Sequence, residues 1–600
     1  MGLHFIFGAA GTGKTRRCCE EIRDYVTGEK GRSAFFLVPD QETYTAERML
    51  ADIFPGHGFI DATVCGFSRL AYRVFNELRS PVQDALSPLG QQIIISRILA
   101  EHRDELQMLM KISSQPHFAE NLMNLFHQLD MFCISETALH EASRTEEGTP
   151  LGRKLADLSL LYKNYHDYLH SRFSYEGSLF DLLAGEIPKS EILRRSRIWI
   201  DGFNGMTPQK IRIVSALIHT AEEVTFTLPL PDTKEGLSNE IFARPANLYA
   251  LLSEEEPHFD SVKLPEMKRF RCPRLRCLAA DYFQNVPSPC PLPKETSPVP
   301  EKGIHIVSAP DSQAEADFIS RRILSLVRDK NLRWRDILVL LRSADTYTDP
   351  LERSFSRYGI PVFTDEKQPM NNHPLVMLLD GLLHFIKAES RGKNRGFTRE
   401  HIFRILKTEI FPSFPTDMID KLENYVLKYH IRFSTWQKPW AFRDYRSIDQ
   451  EPAPLSDKEI TKQNTANTWR EKVLSLLNPF LAGWKGSPAA EDKCAFLYRW
   501  LTEQQIPETL SVWDELEFEK TKKRPHLQVW KKVLSLLDEI VHVTGKDILP
   551  EEELCGILAD GLSALTFSMI PPTLDHVTVT SIDRGYAAEA KVVFIPGALE

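Results

Sequence analysis

The sequence predicts an α/β protein on three observations. A short apolar strand, Leu3–Phe7, runs straight into the glycine-rich segment Gly8-Ala9-Ala10-Gly11-Thr12-Gly13-Lys14-Thr15, and a helical pattern follows. Further apolar runs, Ala34–Val38, Arg197–Asp201 and Glu223–Leu228, alternate with helical stretches, as in a parallel sheet covered on both faces. The same alternation starts again after residue 303. At 600 residues the chain exceeds what one hydrophobic core serves, so about three to four structural units are expected.

In chain order, Leu3–Phe7 is a buried strand and a helix is expected from about Thr15 to Tyr25. Ala34–Val38 is a second strand, ended by Pro39-Asp40, and Thr63-Val64-Cys65-Gly66 closes a third. Residues 85–190 change to a helical period, with apolar residues three and four apart in Leu89–Lys111, Phe118–Met131 and Leu155–Leu169. Strands return at Arg197–Asp201 and Glu223–Leu228. Pro287, Pro289, Pro291, Pro293, Pro298 and Pro300 then mark an extended linker. Beyond it come a strand at Ile304–Val307, a helix at Ala314–Val327, a strand at Asp336–Leu341 and a helix at Leu351–Tyr358. A second helical region precedes the strands Val577–Thr580 and Lys591–Pro596.

The expected organisation is a first α/β domain in two parts, 1–84 with the P-loop and 191–285, around a helical insertion at 85–190. A linker at 286–302 leads to a second α/β domain, 303–390 and 566–600, around a helical insertion at 391–565. The last residue, Glu600, follows an apolar strand closely, so a continuation of the second domain is expected.

Composition narrows the class. There is no run of about 18 apolar residues, so no membrane span or membrane partner is expected, and no basic-then-apolar start of a secretory signal. Nine scattered cysteines argue against a disulfide framework and for the cytoplasm, with Cys272 and Cys277 read as two ordinary thiols rather than metal ligands. A net charge of −9 confines any nucleic-acid contact to a local groove.

The strongest chemical signal is the P-loop. Gly8, Gly11 and Gly13, with Thr12 between them, let backbone N–H groups close around phosphate oxygens; Lys14 reaches the β- and γ-phosphates, and the Thr15 hydroxyl holds magnesium. ATP and magnesium are the expected ligands. Asp201, at the end of an apolar strand, is the candidate second magnesium partner; the plainer reading is a turn residue in Asp201-Gly202-Phe203-Asn204-Gly205. An ATPase motor follows that aspartate with a glutamate that polarises water. Here Gly202 follows, so slow or absent hydrolysis is expected unless another carboxylate substitutes. Only seven residues precede Gly8, leaving no room for an upstream glutamine that reads adenine.

A further set lies after strands: Gln41 and Thr43, then Phe67, Arg69 and Tyr72, then Phe203. Amides, a guanidinium and aromatics at the carboxyl ends of parallel strands can hold and stack on a single strand; the alternative is that Phe67 and Tyr72 are core residues. Ile582-Asp583-Arg584 echoes a nuclease triplet but lacks the second aspartate and downstream Gln-x-Lys that such sites need, so no nuclease chemistry is expected.

Taken together, the P-loop, Leu37-Val38-Pro39-Asp40-Gln41, Phe67-Ser68-Arg69-Leu70, Ile200-Asp201-Gly202-Phe203, Asp336-Ile337-Leu338-Val339, His373-Pro374-Leu375, Leu406-Lys407-Thr408, Leu422-Glu423-Asn424-Tyr425-Val426 and Val579-Thr580-Ser581-Ile582 resemble, in order and spacing, the B subunit of the AddAB (RexAB) helicase–nucleases of bacteria. The resemblance implies two RecA-like motor domains of superfamily-one helicase type, each with a mostly helical insertion. It implies a partner, the A helicase–nuclease subunit, in a complex that resects DNA double-strand breaks for homologous recombination. It further implies that the B subunit scans single-stranded DNA for a recombination hotspot, with Gln41, Thr43, Phe67, Arg69, Tyr72 and Phe203 as the contacts, and that an iron–sulfur cluster and nuclease domain belong only to a C-terminal part beyond this chain. A working ATP-driven helicase, a P-loop kinase or other phosphotransferase, and a non-catalytic scaffold for a partner motor remain as alternatives. A second α/β unit counts against the kinase.

Overall fold

The computed structural model describes residues 2–28, 33–54, 58–80, 86–113, 115, 118–170, 176–230, 240–270, 272–281, 303–364, 368–442, 456–521, 524–567, 575–582 and 590–598. The proline-rich segment and Asp583-Arg584 lie outside them.

Six strands, β1 (Leu3–Phe7), β2 (Ser33–Leu37), β3 (Ala62–Cys65), β4 (Ser196–Ile200), β5 (Glu223–Leu228) and β6 (Phe259–Lys263), form one sheet in the order β3-β2-β4-β5-β1-β6. Every pairing is parallel. Parallel neighbours need crossovers, and these are supplied by helices that include α1 (Lys14–Gly28), α2 (Thr43–Ile53) and α3 (Phe67–Leu78). The alternate side chains of β1, β2 and β4 enter two separate cores, Phe5, Phe35 and Ile198 on one face and Ile6, Phe36 and Trp199 on the other. Burial on both faces is why these strands read as unbroken apolar runs.

Register fixes what the sheet presents. Leu37 lies opposite both Cys65 and Ile200, and Ile200 opposite Phe226. The chain therefore leaves β2, β3 and β4 at one level. Backbone bonds tie these exits together, from Val38 N–H to the Cys65 carbonyl (3.1 Å) and from Asp201 N–H to the Leu37 carbonyl (3.0 Å).

Later in the chain, β7 (Ile337–Leu341), β8 (Val362–Thr364), β11 (Val577–Ser581) and β12 (Val592–Phe594) form a second parallel sheet in the order β12-β7-β11-β8. A two-stranded antiparallel ribbon joins β9 (Gln368–Pro369) to β10 (Thr566–Phe567). One expectation fails beside these sheets, and one strand appears that was not expected. Ile304–Val307 forms no strand, and Ile306 is 96% exposed; alternation marks a segment that suits a sheet, while pairing depends on an available neighbour. Conversely, β6 gives no sign of itself in the sequence, because it is a largely exposed edge strand, Phe-Asp-Ser-Val-Lys, without an apolar run.

The two helical regions pack together. Buried residues between Leu86 and Leu169 and between Met370 and Leu565 form one continuous core. Leu89 and Leu536 both pack where a side chain on Gly561 would stand. Glu539 accepts from Ser87 N–H (3.1 Å), and Arg97 pairs with Asp547. The helix expected over Leu89–Lys111 stops at Glu101. Buried Asp157 takes over the next amides, accepting from Gln107 (2.9 Å), Met108 (2.7 Å) and Leu109 (2.9 Å), which removes the donors a continuing helix needs.

Cys272 is a free thiol, but Cys277 takes part in a disulfide, so they are not two equivalent thiols; four-residue spacing carries no information about a partner elsewhere in the chain. Among the described residues, no helix is long and apolar enough to cross a membrane.

Ile94 is fully buried in the shared helical core, as are Trp436 and Trp484 from the other chain segment. Ile94→Ala is expected to cost about 2–5 kcal/mol and to lower the denaturant midpoint followed by tryptophan fluorescence. A tryptophan transition that does not move would mean that the two helical segments unfold independently.

Candidate functional site

The loop between β1 and α1 turns twice through backbone conformations open to glycine, with φ of +90° at Gly11 and +94° at Gly13. Gly8 N–H donates to the Leu228 carbonyl (3.3 Å), anchoring the loop to the end of β5. Thr12 is buried, and its hydroxyl donates to the Ala9 carbonyl (3.0 Å), so it braces the loop from inside. α1 begins at Lys14, leaving the unpaired amides of its first turn at the loop mouth. Lys14 Nζ donates to the carbonyls of Gly8 (2.8 Å) and Ala9 (3.1 Å), folded back over the cradle. Burial lowers its pKa, and the charge of Asp201 opposes that shift. Thr15 follows, half-buried on the same turn.

Asp201 sits one residue beyond β4 and is only 4% exposed. One of its oxygens accepts a hydrogen bond from Thr227 Oγ1 on β5. A hydroxyl on Thr15 and a carboxylate on Asp201 are hard oxygen donors of the kind magnesium takes, with nucleotide phosphates and water completing its shell. The structure thus fits a magnesium–nucleotide at the P-loop. Among the described residues, no group of three or more His, Cys, Asp or Glu side chains forms a separate metal cage.

Three features of this site have no signal in the linear sequence. The turn after β6 lies across the P-loop, where Lys268 N–H and Arg269 N–H both donate to the Gly11 carbonyl (2.9 Å each). Two cations thereby stand at the phosphate cradle, brought there by a strand without an apolar signature. The third is Glu42, half-buried on the turn after β2, whose carboxyl is pushed up to about 7 by burial and then by the Asp201 charge.

The candidate strand-binding residues are split by the fold. Gln41 is exposed, Thr43 is half-buried with its hydroxyl bonded to the Asp40 carbonyl (2.9 Å), and Tyr72 is 44% exposed. The Arg69 side chain is 68% exposed, 3.7 Å from Glu47. Phe203 is half-buried, its ring 5.5 Å from that of Phe67. Phe67 itself is 3% exposed, in the core under α3 with Phe180 nearby, and so supports the loop rather than presenting a face to a base. Phe67 opens a helix whose inner face is apolar, and its side chain points inward, as in the alternative core reading.

P-loop residues, Glu42 and Asp201 line one wall of a cleft of about 4170 Å³, and residues of the second sheet, among them Leu338, Leu340 and Phe594, line the other. That volume is several times a small-molecule pocket of about 300–1,000 Å³. It is an open groove between two sheets, with the phosphate cradle at one side.

Residues 5–278 match the family described as "ADDB, N-terminal". Across the whole chain, identity is 33% to the B subunit of the ATP-dependent helicase/deoxyribonuclease of Heliobacterium modesticaldum, 32% to that of Pelotomaculum thermopropionicum and 31% to that of Geobacillus kaustophilus. The chain spans about half the length of these relatives, 50%, 52% and 52% respectively. The resemblance to these B subunits therefore holds over all of this chain.

Burial separates the roles of two neighbours. Phe67→Ala should destabilise the protein by about 3–5 kcal/mol, whereas Arg69→Ala should shift stability by no more than about 0.5 kcal/mol. Urea denaturation of the two variants checks this, and equal small effects would refute a core role for Phe67.

Proposed function

We propose that this chain is the helicase-like portion of the B subunit of an ATP-dependent helicase–nuclease complex. The observation that carries the reading is the phosphate cradle at the end of β1, with Asp201 two strands away in the same parallel sheet. Its two sheets correspond to two RecA-like motor domains, each interrupted by helices, at the boundaries set out above. ATP binds through Gly8, Gly11, Thr12, Gly13, Lys14 and Thr15, and magnesium is held by Thr15 and Asp201. Lys268 and Arg269 add positive charge beside the phosphates.

In this reading a DNA single strand crosses the exits of β2, β3 and β4. Gln41, Thr43, Arg69, Tyr72 and Phe203 hold it and Phe67 braces them from below. Such a contact suits a chain of net charge −9, because it needs only local charge and stacking. The complex resects DNA breaks for recombination, in the cytoplasm, with a separate helicase–nuclease subunit supplying most of the motor force. This chain scans the strand for a hotspot, and because Gly202 offers no side chain to activate water, it turns ATP over slowly unless another carboxylate substitutes.

Two binding measurements on the purified protein test this. Lys14→Ala should weaken ATP binding at least about tenfold, leaving the fold intact. Tyr72→Ala and Arg69→Ala should weaken single-stranded DNA binding while leaving ATP affinity unchanged, stacking being worth about 1–3 kcal/mol per base. Unchanged ATP affinity in Lys14→Ala would remove the nucleotide assignment; unchanged DNA affinity in both others would leave a scaffold.

A further inference from the structure

A side chain fills the space beside Gly202. Gly202 has a φ of +83°, a conformation that a glutamate in its place would adopt only with strain. A Cβ built there would lie 2.7 Å from Glu42 Oε2 and 3.0 Å from Pro39 Cδ. A side chain at this residue would therefore be strained by its backbone and would have to displace what already stands there. What stands there is another carboxylate, delivered from the neighbouring strand.

Its delivery follows from the sheet. β2 pairs with β4, Leu37 opposite Ile200, so the turn after β2 and the turn after β4 lie side by side. That first turn, Asp40–Glu42, is closed by Glu42 N–H on the Pro39 carbonyl (2.8 Å). Glu42 lines the same cleft wall as Lys14, Thr15 and Asp201.

We propose that Glu42 is the catalytic base of the nucleotide site, standing in for the side chain that Gly202 lacks. This rests on the reading of the P-loop as an ATP site. In the step, a water oxygen attacks the γ-phosphorus as the bond from that phosphorus to the β–γ bridging oxygen breaks. ADP leaves with the bridging oxygen, and the water proton passes to the Glu42 carboxylate and then to solvent.

The test uses the full-length protein in its native assembly, with the P-loop lysine of any co-purifying ATPase subunit substituted so that only this site reports. ATP hydrolysis with single-stranded DNA and ATP affinity are measured for wild type, Glu42→Gln, Glu42→Asp and Lys14→Ala. The expected result is a kcat about 10²-fold lower in Glu42→Gln, with ATP affinity within about twofold of wild type and Glu42→Asp in between. Wild-type turnover no higher than that of Lys14→Ala, a Glu42→Gln rate equal to wild type, or a Glu42→Gln variant that loses ATP affinity would each overturn the assignment. Tight ATP binding by wild type in those cases would leave the nucleotide site standing without this base, whereas no ATP binding by wild type would end both.

Discussion

Parallel pairing of β1, β2, β3, β4 and β5 constrains everything else at the site. In a parallel sheet all strands end on one edge, so loops far apart in sequence emerge together. The P-loop, the Pro39–Glu42 turn, the start of α3 and the Asp201 turn meet there, although a whole helical region separates the first three from the last. The hydrogen bonds from Val38 to Cys65 and from Asp201 to Leu37 hold those exits level. Gly66 shows how closely: the Asp40 carboxylate occupies the space that a Cβ there would need. A one-residue slip between β2 and β4 would reverse the facing of every side chain on one of them and part Glu42 from Gly202.

Charge at the site follows from the same convergence. Asp201 is buried and bonded to Thr227, so its carboxylate acts on its neighbours through little intervening water. It favours the charged form of Lys14 and disfavours that of Glu42. Lys14 itself is held by the carbonyls of its own loop. A cation, two carboxylates and a set of unpaired helix amides thus share one wall of the groove, as phosphate binding and hydrolysis require. The helical regions contribute differently: their two chain segments build one core, and the groove itself is lined by the sheets and the turns beside them.

Much of this was legible from residues in order. Apolar runs buried on both faces located β1, β2, β4, β5 and β7 to within a residue or so, because continuous hydrophobicity of that length bounded by turn signals reads as a buried strand. The P-loop was legible because its chemistry is local: glycines for the turns, a lysine and a threonine at fixed spacing. Phe67 was not, since an aromatic at a helix start serves equally to stack on a base or to fill a core, and only burial distinguishes them. β6 escaped because exposed edge strands carry no apolar signature, and Lys268 and Arg269 were lost with it.

The sequence by itself determined the buried strands, the phosphate cradle and the absence of a side chain after Asp201. All of these are set by short-range rules of backbone conformation and hydrophobic period. The tertiary structure alone decided that Glu42 stands in the gap left by Gly202, that Arg269 meets Gly11 and that two helical segments make one core. Each of these joins residues whose separation along the chain carries no signal of their proximity; strand order, register and packing bring them together.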